Sequence, residues 1–111
     1  MSNNFKIIYK ILKTLEKAMD YEEPDLTGIG YVALGISETR WKAIIEMLVE
    51  CGYVKGISVS KSFSGIEIIL VNPKITLKGL EYLEENSLMA KAKELAKGLI
   101  EVAKWNTDMH V

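Results

Sequence analysis

Catalysis needs a nucleophile, a positioned acid or base, a metal cluster or an anion cradle, and the chain offers few side chains for any of these. Its one histidine, His110, stands one residue from Val111 at the C-terminus, where ordered catalytic surroundings are not expected. Its one cysteine, Cys51, closes an apolar helical stripe beside Gly52 and reads as a small buried hydrophobe with nothing near to lower its pKa. A single cysteine rules out an internal disulfide, and no Cys/His cluster can be assembled for zinc. Gly28-Ile29-Gly30 lacks the rest of a phosphate-binding fingerprint. The sequence points away from an enzyme and implies no cofactor.

Residues suited to contact a partner are better represented. From Ser37 to Cys51, Trp41, Ile44, Ile45 and Leu48 recur at helical spacing and mark the buried stripe, with Trp41 as a core anchor. Helical geometry then turns Thr39, Lys42, Ala43, Glu46 and Glu50 outward, with Arg40 and Met47 at the flanks. Thr39 and Arg40 lie where a recognition helix reads base edges, and Lys42 and Ala43 share that surface. Glu46 and Glu50 oppose this, since they would repel phosphates. Arg40 and Lys42 against Glu38, Glu46 and Glu50 leave a net charge of −1. An ordinary solvated helix face is the alternative reading.

A second set lies between residues 53 and 74, where Lys55, Lys61 and Lys74 against Glu67 give +2. Lys61 at a hairpin tip would meet a phosphate, and Ser62 and Ser64 would donate hydrogen bonds to one. Phe63, between those serines, reads as an aromatic folded back on the hairpin, with a groove wedge as the alternative.

These residues must be positioned by a series of short elements. Phe5, Ile8, Leu12, Leu15 and Met19 fall on one face of a helix from Asn4 to Met19, and Ile7 and Ile11 add an adjacent strip. Lys6, Lys10, Lys13 and Lys17 take the rest of its surface. Asp25 or Thr27 can cap a brief helix to Leu34 that Gly28 and Gly30 weaken. Gly35 breaks it, Ser37 opens the next helix, and Gly52 ends that one. Ile57 and Val59 alternate as in a half-buried strand, and Ile66 to Val71 form a second strand that Asn72-Pro73 should stop. Another helix starts at Ile75 or Thr76, with Leu77, Leu80, Tyr82 and Leu83 as its apolar positions. Asn86-Ser87 separates it from a last helix, 88–105. There Leu88, Ala92, Leu95, Leu99 and Val102 make an a/d seam of about two heptads. That seam can pack within the chain or contact a second copy.

Helix, short helix, helix, hairpin, helix is the order of a winged helix-turn-helix. The runs Ile36-Ser37-Glu38-Thr39-Arg40-Trp41, Leu48-Val49-Glu50-Cys51-Gly52-Tyr53-Val54 and Ile75-Thr76-Leu77-Lys78-Gly79-Leu80-Glu81-Tyr82-Leu83 resemble the bacterial YjcQ family. The resemblance covers residues 5 to 105. It implies architecture: a winged helix of the class to which DNA binding is assigned by fold.

The 111 residues carry 49% hydrophobic and 26% charged side chains, the balance of one folded α+β domain. Fourteen Lys and Arg against fifteen Asp and Glu give a net charge of −1, which disfavours coating nucleic acid by charge alone. Neither a signal peptide nor a membrane span can be read from the sequence, so a cytoplasmic protein is expected. The expected organisation is one winged-helix domain over 1–106, with a three-helix core, a two-stranded wing and the extra C-terminal helix, then a flexible tail at 107–111. Two functions compete: duplex DNA binding in transcriptional regulation through 37–51 and the wing 53–71, or docking of another protein on the same surface without DNA. A homodimer through the C-terminal helix fits either.

Overall fold

The computed structural model describes residues 3–88. Helix α1 spans Asn3–Ala18, a single 3-10 turn spans Thr27–Ile29, and α2 and α3 span Tyr31–Leu34 and Glu38–Glu50. Strands β1 (Val54–Ser62) and β2 (Gly65–Ile75) form an antiparallel hairpin, and a further helix, α4, occupies 77–88. The result is an α+β chain with a winged-helix layout. Among the described residues no helix is long and apolar enough to cross a membrane.

The core is one apolar cluster at the meeting point of the helices and the hairpin base. Ile11, Leu12 and Leu15 from α1, Ile29 from the 3-10 turn, and Ile44, Ile45 and Leu48 from α3 are almost wholly buried in it. Trp41 joins them: its indole Nε1 donates to the Ile29 carbonyl at 2.7 Å and its ring lies 5.9 Å from that of Tyr31. The α1 stripe is rotated from the one its spacing predicts. Ile7 and Ile11 are buried while Phe5 and Met19 are largely exposed. Two adjacent apolar strips were available, and α3 and β2 cover the arc between them, leaving the ends of the outer strip in water.

The turn into α3 is built from local chemistry. Between the 3-10 turn and α2, Gly30 is extended, so the weak helix expected up to Leu34 becomes two pieces. Asp25 accepts from both the amide and the hydroxyl of Thr27, and these bonds hold its carboxyl below the ordinary carboxylate range. At Gly35 the backbone is left-handed (φ 69°), and the Ile36 and Gly35 amides bond back to the Tyr31 and Val32 carbonyls. That is a Schellman closure, which favours glycine at the left-handed position. The Ser37 hydroxyl then accepts from the Arg40 amide at 3.1 Å and caps α3. A second Schellman closure ends α3, with the Tyr53 and Gly52 amides bonded to the Leu48 and Val49 carbonyls. Cys51 sits at this C-cap and is exposed, not buried: it lies past the last turn that packs on the core.

The hairpin is longer and tighter than its sequence suggests. Ser62 pairs with Gly65 across a two-residue turn, Phe63-Ser64. Asn72-Pro73 does not stop β2, which runs on to Ile75. The register shows why: Lys55 pairs with Lys74 but Ile57 pairs with Leu70, so Val71, Asn72 and Pro73 bulge opposite Gly56 alone. A proline, which cannot donate to the ladder, is tolerated in such a bulge.

Thr76 joins the hairpin base to α4. Its amide donates to the Tyr53 carbonyl, its hydroxyl donates to the Gly52 carbonyl, and that hydroxyl accepts from the Gly79 amide at 3.1 Å. A Cβ on Gly79 would come within 2.4 Å of the Tyr53 carbonyl oxygen, so the glycine lets α4 approach the end of α3. Tyr82 then stacks 5.1 Å from Tyr53, and Leu83 enters the core. Leu77, expected among the apolar positions, is exposed in the first turn. The break expected at Asn86-Ser87 is absent, because α4 continues through both and the Asn86 side chain bonds the Tyr82 carbonyl at 2.8 Å. Leu88 is exposed at the end of the described helix; the rest of the 88–105 helix, with Ala92, Leu95, Leu99 and Val102, and the tail 107–111 lie outside the described residues. Replacing Thr76 by valine keeps the volume and removes the cap and the bond to Gly52. The expected loss is about 1–2 kcal/mol, read as a lower urea midpoint with an unchanged slope.

Candidate nucleic-acid interface

The outer face of α3 follows from which residues the core takes. With Trp41, Ile44, Ile45 and Leu48 buried, Thr39, Ala43, Met47 and Glu50 are exposed, while Lys42 and Glu46 are half-buried. Arg40 and Lys42 stand on opposite flanks of the Thr39–Ala43 line by helical rotation. The Arg40 Nε donates to Asn4 Oδ1 at 2.9 Å, which tethers one guanidinium N–H toward α1. Its other four donors are not used by that bond.

The wing comes over the middle of α3. Its Lys61 ammonium lies 2.7 Å from Glu46 Oε2, with the lysine side chain 67% exposed and the glutamate 17%. The hydrogen bond to Glu46 first, then the charges of Glu46 and Glu50, raise Lys61 above the ordinary lysine pKa. Lys61 is therefore not the unattached cation at a loop tip that its sequence position suggests. It belongs to β1, paired opposite Ile66. Beyond it the Ser62 and Ser64 hydroxyls share a hydrogen bond at 2.9 Å, and Phe63 projects fully into solvent at the turn. That corrects the reading of Phe63 as folded back: a two-residue turn leaves its ring no hairpin surface to reach.

The structure thus gathers Lys61, Ser62 and Ser64 along the wing and brings Lys61 to α3, while Arg40 faces the α1 side. Glu46, by its sequence position an obstacle to phosphates, proves to be the wing's anchor. The alternation contains the signal for this: Ile57, Val59 and Lys61 share one face of β1, and Ile57 packs on the core, so Lys61 must turn the same way. Ser58, Ser60 and Ser62 line the opposite, exposed face. Among the described residues, no group of three or more His, Cys, Asp or Glu side chains is placed to hold a metal ion.

What this surface can do chemically is bind. It offers small and polar side chains on the first turns of α3, cations on both flanks, hydroxyls and one aromatic at the wing tip, and a neutralised carboxylate between them. No curated protein and no solved structure matches the chain. A family model does, the one described as YjcQ protein, over residues 9–102. Since that span takes in α3, the wing, Thr76 and Gly79 together, the chain belongs to the YjcQ family.

Proposed function

We propose that this protein binds duplex DNA in the cytoplasm and regulates transcription, with no catalytic step. The N-terminal half of α3 enters the major groove and the wing tip rests on the neighbouring backbone. The observation that carries this is the Lys61–Glu46 pair. It neutralises the carboxylate in the middle of the α3 face and leaves Thr39, Arg40 and Ala43 exposed ahead of it. Arg40 and Thr39 read base edges, and Lys42, Ser62 and Ser64 meet phosphates.

The pair also sets the test. Glu46→Gln removes a negative charge and releases Lys61, so binding to all duplexes should tighten. The log–log salt slope should steepen by about 0.9, because the freed lysine neutralises one more phosphate. Arg40→Ala should instead flatten preference at particular base pairs, by roughly 1–3 kcal/mol for each bidentate pair that the arginine makes. Fluorescence anisotropy against random and selected duplexes at several salt concentrations separates the two. Wild-type protein with no salt-dependent binding to any duplex at tens of micromolar, inside the range of about 10⁻⁴–10⁻⁶ M usual for non-specific binding, would sink the DNA reading.

Protein docking on the same face is the second reading. It is favoured by the exposure of Met47 beside Glu50 and by a wing lysine whose charge is already engaged. In that case Glu46→Gln leaves the anisotropy of every duplex unchanged.

A further inference from the structure

The bulge in β2 opens a surface that the α3 face does not use. A groove of about 850 Å³ runs between the C-terminal end of α1 and the bulged strand. Three of its apolar side chains stand mostly in water: Met19 at 64%, Tyr21 at 69% and Val71 at 71% exposure. Exposed apolar residues gathered in one concave place mark an interaction surface more often than scattered ones do.

Lys55 and Lys74 line the same groove and are directly opposed in the antiparallel register. Like charges facing each other across a ladder oppose the pairing. Neither has an ion-pair partner among the described residues, and Glu22, which also lines the groove, forms no salt bridge with either. The strand pairing thus holds together two cations that an acidic group from outside would relieve.

The chain itself carries a complementary element. Leu77, Glu81, Glu84 and Leu88 are spaced four, three and four along α4, so they share one stripe, and all four are exposed. Two leucines flank two carboxylates over about 16 Å of helix. Apolar ends and an acidic middle match a groove with apolar walls and a lysine pair.

We propose that two copies of this chain associate by laying the Leu77–Leu88 stripe of each α4 into the Lys55/Lys74 groove of the other. Exchanged in both directions about a twofold axis, the contact closes as a dimer and buries both grooves at once. It does not depend on the α3 face, and a dimer of this kind can form whether or not DNA is bound.

Charge reversal tests it on the full chain, with sedimentation equilibrium as the readout. Wild type should be dimeric, with a dissociation constant that rises with salt. Lys55→Glu/Lys74→Glu and Glu81→Lys/Glu84→Lys should each be monomeric, since each sets like charges against like. Mixed in equal amounts, the two variants should form a heterodimer, because one of the two exchanged contacts then pairs reversed charges on both sides and the other pairs native ones. The first variant keeps a like-charged pair across the ladder, so its circular dichroism and melting should stay near wild type while association is lost. A monomeric wild type at hundreds of micromolar overturns the proposal. So does a dimer that survives both reversals, or a mixture of the variants that stays monomeric. DNA binding without dimerisation would overturn this contact and leave the α3 reading standing.

Discussion

Trp41→Ala should lose about 3–5 kcal/mol of stability, as large-to-small changes of a buried Trp do. For a domain of this size that is a fall in Tm of at least roughly 12 °C. Two losses combine. The indole fills the space between α3 and the 3-10 turn at 7% exposure, and its Nε1–H satisfies the buried Ile29 carbonyl. Trp41→Phe separates them: the ring packing on Tyr31 is largely kept, and the orphaned carbonyl alone costs about 1–3 kcal/mol. Thermal unfolding followed by far-UV circular dichroism measures both. A Trp41→Ala variant that melted within a few degrees of wild type would show that the residue does not anchor the core.

The second large effect is expected at the wing base. Gly56 has φ of 74°, and a Cβ there would lie 1.9 Å from the Asn72 carbonyl oxygen and 2.6 Å from its carbon. Backbone atoms in a paired strand cannot step aside as a flexible side chain can. Gly56→Ala should therefore cost the left-handed penalty of about 1–2 kcal/mol and a further 1–3 kcal/mol or so for overpacking. Gly35→Ala is the matched control, with φ of 69° and nothing within 4 Å of the added methyl. Urea unfolding of the two should differ by the overpacking alone. Equal costs at the two glycines would mean that the bulge is not held against Gly56.

The helical part of this arrangement is legible in the sequence because its signals are local. Ser37 caps, Gly35 and Gly52 close, and Trp41, Ile44, Ile45 and Leu48 keep one period, so α3 and its buried face follow from adjacent residues. Part of what escapes is decided by partners distant along the chain, and part by local bonds that residue type alone does not reveal. Proline at 73 looks like a strand stop until the register sets Gly56 opposite it. Asn86-Ser87 looks like a break until the Asn86 side chain finds a carbonyl one turn back. Leu77 and Phe5 look like core residues, yet both are largely exposed. Among the proposed contact residues, Thr39, Arg40 and Ala43 fall on the outer face by helical rotation alone. Lys61 looks like a tip residue because Ser62, Ser64 and Gly65 around Phe63 suggest a longer loop than the two residues that form the turn. The Ile57–Val59 alternation sets which way Lys61 turns, but its pairing with Glu46 also needs α3 beneath that face, which adjacent residues do not show.

The joint at Thr76 has a mechanical consequence for the wing. Three hydrogen bonds and the Gly79 contact clamp the hairpin at its base, while the nine residues of β1 carry the tip about 30 Å away. Such a ribbon is a cantilever, rigid where it is mounted and compliant at its end. Along its outer half, Ile68, opposite Val59, packs against the core, and nearer the tip the Lys61–Glu46 pair acts as a stay. Salt acts on this stay through its lysine end, which is 67% exposed, and less through the Glu46 carboxylate, which is 17% exposed. A change at Lys61 or Glu46 therefore acts on the end of the ribbon that carries Phe63 and leaves the mount at Thr76 in place.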